Sequence, residues 1–262
     1  MATTDISYIS MVVGLLLLAI PLGFFHVFGV RQMRSLIVAA VRMVVQLFLI
    51  GLYLKYLFEW NSPLVNMLWV LIMVLVASFT AAHRTRLRRR FVVPPLVAGL
   101  LASAFVVGLY FLVLVLRLPH PFDARYFIPI MGILMGNMLG VNVIGLNTFY
   151  DGLQREQQMY YYLLGNGASH AEAVLPFVRQ AIGVSFAPCI ANMAVMGIVS
   201  LPGTMIGQIL GGSAPGIAIK YQMMIIVITV TSSILSLVAT LWLADRRSFD
   251  VYGRMKNVRR KA

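Results

Sequence analysis

Hydropathy along the chain rises seven times into apolar runs: Tyr8 to Phe28, Leu36 to Phe58, Pro63 to Ala82, Phe91 to Leu116, Phe127 to Phe149, Gly183 to Ser200 and Tyr221 to Ala244. Each approaches or exceeds the roughly 20 residues that a helix needs to cross about 30 Å of hydrocarbon. The pattern predicts an all-α, polytopic membrane protein of about seven transmembrane helices, forming a single domain over 1–262. One long polar insert interrupts it, 151–182, reading DGLQREQQMYYYLLGNGASHAEAVLPFVRQAI. Asp151 is expected to cap a helix running through Leu164, and Ser169 with Glu172 spells a capping box. Gly165, Asn166 and Gly167 between them permit a sharp reversal. The predicted shape is a helix, a glycine break, a short helix and then Pro176, which suits either an ordinary connecting loop or a plug that fits a partner's socket. Pro188 is expected to bend the sixth span. A second irregular stretch, Ser200 to Gly216, is rich in glycine but uncharged, which suits an interfacial or re-entrant segment better than a solvated loop.

Charge adds an orientation to this pattern. The chain is 60% hydrophobic and 11% charged, with a mean hydropathy of +0.89, which excludes a water-soluble domain. Its formal charge of +13 sits in short clusters between apolar runs, the densest being RTRLRRR from Arg84 to Arg90. Sixteen of the 21 Lys and Arg residues fall on one side of the predicted topology and two on the other. The positive-inside rule then places the amino terminus outside, with the carboxyl terminus, the polar insert and a basic tail over 245–262 in the cytoplasm. No folded basic surface or zinc spacing accompanies the charge, so nucleic acid is not expected as a partner. The partner that clustered charge implies is the bilayer itself. The first apolar run lacks a preceding basic region and a small-residue cleavage signature, and reads as a retained span. A lone cysteine, Cys189, forms no intrachain disulfide.

Enzymatic constellations are missing from this pattern. The four histidines are scattered without HExxH, no GxSxG elbow occurs, and no lysine closes a GxxxxGK[ST] phosphate loop. If ATP powers this protein, another chain binds it. The fifth span carries glycines every fourth residue, Gly132, Gly136 and Gly140, a spacing that lets a neighbouring helix approach closely. Asn137, Met138 and Asn142 add polar and thioether groups to the same helix, and Asn192, Met193 and Met196 repeat the theme in the sixth. These residues read either as the wall of a substrate path or as interhelical hydrogen bonds with methionine as packing filler. Arg42 and Gln46 lie one turn apart on the second span, where Arg42 can snorkel to the surface. No Asp or Glu falls within a predicted span, which argues against a hard-cation pathway lined by carboxylates. Metal ligands cannot be assigned from these residues.

Three stretches carry a family resemblance. PIMGILMGN from Pro129, LLGNGASHAEAVLP from Leu163 and SLPGTMIGQILGGSAPGIAIKYQ from Ser200 are similar to motifs of the FetB/YbbM family of ABC transporter permeases, and the likeness spans about Leu36 to Ala244. The resemblance implies a permease in the cell (inner) membrane, most simply two permeases with two ATPase subunits. ATP and magnesium would be bound on the ATPase, with no cofactor in this chain. Bacterial relatives are implicated in iron export. Plant relatives are linked to aluminium tolerance, with a nucleotide sugar as a disputed substrate. Two features depart from the family pattern: Asn166-Gly167 loosens the LGAS spacing, and Tyr160 to Tyr162 stand where acidic or small residues are more usual.

Residues and resemblance together give one expectation. Leu164, Gly165, Ser169, Glu172, Leu175 and Pro176 couple to the ATPase, while Asn137, Met138, Asn142, Asn192, Met193 and Gln208 line the path of iron or another metal. The alternatives are a non-metal cargo such as a nucleotide sugar, an intramembrane lipid-processing enzyme, or a secondary transporter, although neither membrane-embedded acids nor a duplicated half is visible for the last.

Overall fold

The computed structural model describes residues 7–85, 87–250 and 253–259. Asp5, Arg86, Arg260 and Lys261, which enter the charge count, lie outside the described residues. Among the described residues ten α-helices follow in order: α1 Tyr8–Leu16, α2 Ala19–Val27, α3 Met33–Trp60, α4 Pro63–Arg84, α5 Arg89–Leu109, α6 Ala124–Arg155, α7 Gln157–Gly165, α8 His170–Val195, α9 Gly203–Leu210 and α10 Pro215–Ser248. A π-helical segment, Tyr110–Val115, extends α5. The described residues contain no strand. α1 with α2 makes one membrane-length unit, and α3, α4, extended α5, α6, α8 and α10 make six more, so seven units are long and apolar enough to span.

The core lies where α4, α5, α6, α8 and α10 meet. Small residues let α10 into its centre: Ser232, Ser233, Ser236 and Thr240 are buried on one stripe. A Cβ on Gly99 of α5 would run into the Thr240 hydroxyl and sit only 3.0 Å from the Ser236 carbonyl oxygen, so glycine is what lets α5 and α10 approach this closely. The glycines of the fifth-span pattern behave otherwise. Nothing lies within 4 Å of a Cβ placed on Gly136 or Gly140. Only Gly132 meets a neighbour, the Met73 methyl of α4 at 3.4 Å, while α10 docks against the opposite face of α6 through Asn142 and Gly145.

α1 to α3 touch the rest thinly, chiefly through buried Leu57 and the Tyr53 ring, 4.4 Å from that of Trp69. Their remaining apolar surface is exposed, as a lipid-facing helix requires.

Two predicted details change in the polar insert. Asp151 caps nothing, since α6 continues past it to Arg155 and breaks at Glu156. The cause is packing: Phe149, Tyr150 and Leu153 are buried, and Gly152 lies against Phe177 of α8, so ending the helix at Asp151 would expose them. The second insert helix is not short either, because Pro176 is absorbed inside α8, which runs on to Val195. A proline there forfeits one backbone bond, and the continuous helix keeps the rest satisfied in an apolar setting. The long helices thus carry Asp151, Glu172 and Asp245 in terminal turns at the insert end, and α3 carries Glu59 in its last turn at the other end. Asn61 and Asn66 order the opposite end: the Asn61 Oδ1 accepts from Ala124 N–H, and Asn66 Nδ2 donates to the Phe122 carbonyl, each at 2.9 Å.

Candidate functional site

A cavity of about 250 Å³ opens between α6, α8, α9 and α10. Asn137, Cys189, Asn192, Met193, Thr204 and Gln222 face it. Asn137 donates Nδ2 to the Ile133 carbonyl one turn back, and among the described residues its own carbonyl oxygen has no hydrogen-bond partner. Thr204 donates its hydroxyl to Gln222 Oε1 at 2.5 Å, fixing the amide so that Nε2 is turned away from that bond. Cys189 is the one ionisable group lining this cavity, so the surface is polar without net charge.

Gln208 lines a neighbouring cavity of about 530 Å³, with Arg125, Tyr126, Ser213 and Tyr221. Ile133, Thr204 and Ile225 border both. The uncharged Ser200 to Gly216 stretch, folded around α9, therefore forms part of both walls. Two expected path residues lie elsewhere. Met138 and Asn142 are fully buried, and Asn142 Nδ2 bonds to the Met138 carbonyl at 2.9 Å and to Ser236 Oγ at 2.8 Å. A buried amide needs such partners, and here they lie in the α6–α10 contact rather than the cavity. Thr204 and Gln222 are the site residues that sequence reasoning missed. The signal was their place in the Ser200 to Gln222 stretch, whose glycines drew attention to the backbone instead.

The insert closes the other end. Ser169 and Glu172 form the expected capping box, the Glu172 carboxylate accepting from Ser169 N–H at 2.8 Å. Glu172 accordingly keeps its charge beside the helix N-terminus, where a negative charge is favoured. Gly167 takes φ of +88°, a left-handed turn that glycine adopts without strain. Gly165, Ser169, Glu172 and Leu175 are exposed, whereas Leu164 and Pro176 are half-buried.

Behind this face runs a chain of hydrogen bonds that the sequence did not suggest. Tyr160 Oη donates to the Gly253 carbonyl at 2.9 Å and lies 2.9 Å from His170 Nδ1, while His170 Nε2 lies 2.9 Å from Asp245 Oδ2. A carbonyl can only accept, so the tyrosine hydrogen goes to Gly253 and Nδ1 must donate to Oη. Burial, and then the nearby Asp245 charge, push the Tyr160 hydroxyl up to about 12. It therefore remains a donor at neutral pH. The residues after α10 join the same assembly: Arg88 N–H donates to the Val258 carbonyl at 2.7 Å, and Arg259 pairs with Asp151.

Comparison with known proteins follows the same boundaries. The family model described as "Uncharacterised protein family (UPF0014)" matches residues 8–249. Protein ALUMINUM SENSITIVE 3 of Arabidopsis thaliana is 32% identical over 209 residues, 80% of this chain and 75% of that protein. UPF0014 membrane protein YjkA of Bacillus subtilis (strain 168) is 27% identical over 258 residues, covering 95% and 98% of the two chains. Probable iron export permease protein FetB of Escherichia coli (strain K12) is 26% identical over 250 residues, 95% of each. No solved structure matches.

Proposed function

Since this chain belongs to the UPF0014 family of membrane proteins, we propose that it is the membrane-spanning permease subunit of an ABC transporter, exporting iron or another metal with energy from a separate ATPase subunit. Two copies work with two ATPases in the cell (inner) membrane, with the amino terminus outside and the insert in the cytoplasm. The chain supplies no catalysis of its own; ATP and magnesium belong to the ATPase.

One observation carries the reading. α8 is a single rod whose exposed, capped end bears Glu172 and Leu175 and whose far end bears Asn192 and Met193 at the cavity. At 1.5 Å per residue, Ser169 and Asn192 are roughly 35 Å apart along one helix. A push on Leu175 from an ATPase is carried to the cavity along one continuous helix, through Pro176 and Pro188, with no loop between. Coupling of this kind requires two states that the ATPase contacts differently, and a continuous helix links the two ends that must sense that difference.

A second reading has one feature in its favour: Arg125, with Phe111, Tyr126 and Tyr221, gives the neighbouring cavity a cation and three aromatic rings. That set suits an anionic cargo such as a nucleotide sugar.

The deciding experiment is co-expression with candidate ABC ATPases, followed by reconstitution in proteoliposomes. The proposal expects one ATPase to copurify and ATP hydrolysis to be stimulated by a metal salt. Stimulation by a nucleotide sugar alone would move the assignment to the second reading. Cargo movement without any ATPase would sink both, as would lipid turnover by the purified chain.

A further inference from the structure

Six sulfur side chains line two connected cavities. Cys189 and Met193 of α8 and Met196, the residue that caps its end, follow at intervals of four and three and border one cavity. Met193 and Met196 also border a second cavity of about 600 Å³, where Met205 of α9 and Met223 and Met224 of α10 join them. These thioethers differ from the core methionines. Met131 and Met138 have no exposed surface and fill space between helices, whereas Met193 is 42% and Met223 51% exposed.

The remaining lining decides what such sulfurs could hold. Neither cavity has an Asp, Glu, His, Lys or Arg among its lining residues. Among the described residues, no three His, Cys, Asp or Glu side chains are grouped to hold a metal. A cation entering here would keep its full charge in a low-dielectric setting. That cost scales with the square of the charge, so a divalent ion faces about four times the penalty of a monovalent one. Thioether and thiol donors select soft ions over hard ones. Both constraints point the same way.

We propose that the sulfur-lined cavities at the end of α8 bind a soft monovalent cation of the Cu(I) and Ag(I) class. The site names the cargo class of the permease reading above, and as cargo it rests on that reading, but binding itself does not require the ATPase. Cys189, Met193 and Met196 make the first contacts. Asn137, Asn192 and Gln222 offer neutral polar groups that replace part of the ion's hydration, and Met205, Met223 and Met224 continue the sulfur lining beyond them.

The test uses the full chain in lipid nanodiscs, without an ATPase, carrying methyl-labelled methionine and titrated with silver nitrate as a redox-inert probe. The methyl resonances of Met193, Met196 and Met223 should shift and saturate while those of Met131 and Met138 stay in place. The double variant Met193→Leu and Met196→Leu conserves volume and should bind silver at least about tenfold more weakly, and Met131→Leu should bind as the parent does. An absence of shifts, shifts shared equally by Met131 and Met138, equal competition by Mn(II), or full affinity in the double variant would overturn the proposal. If the double variant does not fold, the parent's own pattern of shifts decides. An ATPase that fails to copurify would refute the permease reading and leave silver binding intact; silent methionines in an intact transporter would do the reverse.

Discussion

His170, at the first position of α8, holds Asp245 near the end of α10 with Nε2 and Oδ2 2.9 Å apart. The contact fastens the exposed insert to the helix at the centre of the bundle, and Tyr160 extends it to Gly253 beyond α10. Replacing Tyr160 with Phe keeps the ring but strands the Gly253 carbonyl and the His170 Nδ1–H. A loss of about 1–3 kcal/mol in stability is expected, read as a lower midpoint of thermal unfolding in detergent. Unchanged unfolding would show that the chain of bonds carries no stability.

The same tyrosine sets an alkaline limit. Its folded pKa, about 12, stands above the ordinary value of 10.0. The folded state therefore retains a proton that the unfolded state gives up first. The associated stability is complete below pH 10 and is lost as pH rises through 12. Unfolding midpoints measured across this window should fall more steeply for the parent than for Tyr160→Phe, and parallel curves would contradict the assignment.

Asn137 and Asn142 separate a cavity role from a packing role. Asn137 is exposed to the cavity, so Asn137→Ala should lower export in proteoliposomes while leaving thermal unfolding within about 0.5 kcal/mol of the parent. Asn142→Ala should do the opposite in order. It removes a buried amide bonded to Ser236, and reduced accumulation and a stability loss of about 1–3 kcal/mol should precede any transport defect. Equal stability in the two variants would remove the distinction.

Most of the architecture was legible because membrane helices announce themselves by length and oil content. Each of the seven apolar runs overlaps one of the seven spanning units, although the sixth starts later than α8 and runs past its end at Val195, and Ser169 with Glu172 marked a real helix start because a capping box is local chemistry. What failed was whatever depended on a neighbour. Asp151 looked like a cap until Gly152 met Phe177, and Pro176 looked like a boundary until α8 ran through it. Asn137 and Asn142 are alike in sequence and differ only in which face of α6 each occupies. Asp245 lies 75 residues beyond His170 in the chain, so no spacing could join it to Tyr160 and His170. The Ser232 to Thr240 stripe was readable as small residues at helical intervals, but its meaning as the central seam appears only with Gly99 opposite.

The exposed face of the insert should separate docking from folding. Leu175 is 41% exposed and touches the core little, so Leu175→Glu is expected to leave unfolding within about 0.5 kcal/mol of the parent yet abolish copurification of the ATPase. Ser169→Ala removes a cap and should cost about 1 kcal/mol. If Leu175→Glu still retains the ATPase and stimulates its turnover normally, the coupling surface lies elsewhere.

The residues after α10 act as a strap, and its two kinds of contact predict different costs. Arg259 pairs with Asp151 where both side chains are about half exposed, 48% and 42%, so screening makes the pair weak. Val258 is 2% exposed, and its carbonyl accepts from Arg88 N–H. Arg259→Ala should therefore change unfolding by at most about 1 kcal/mol, and less at high salt. Val258→Asp forces a carboxylate into that buried position. It should release the strap, expose the Arg88 amide to hydrogen exchange and open the chain beyond Phe249 to limited proteolysis. Protection at Arg88 that survives Val258→Asp would mean that the strap is held by its charges rather than by the buried Val258 side chain.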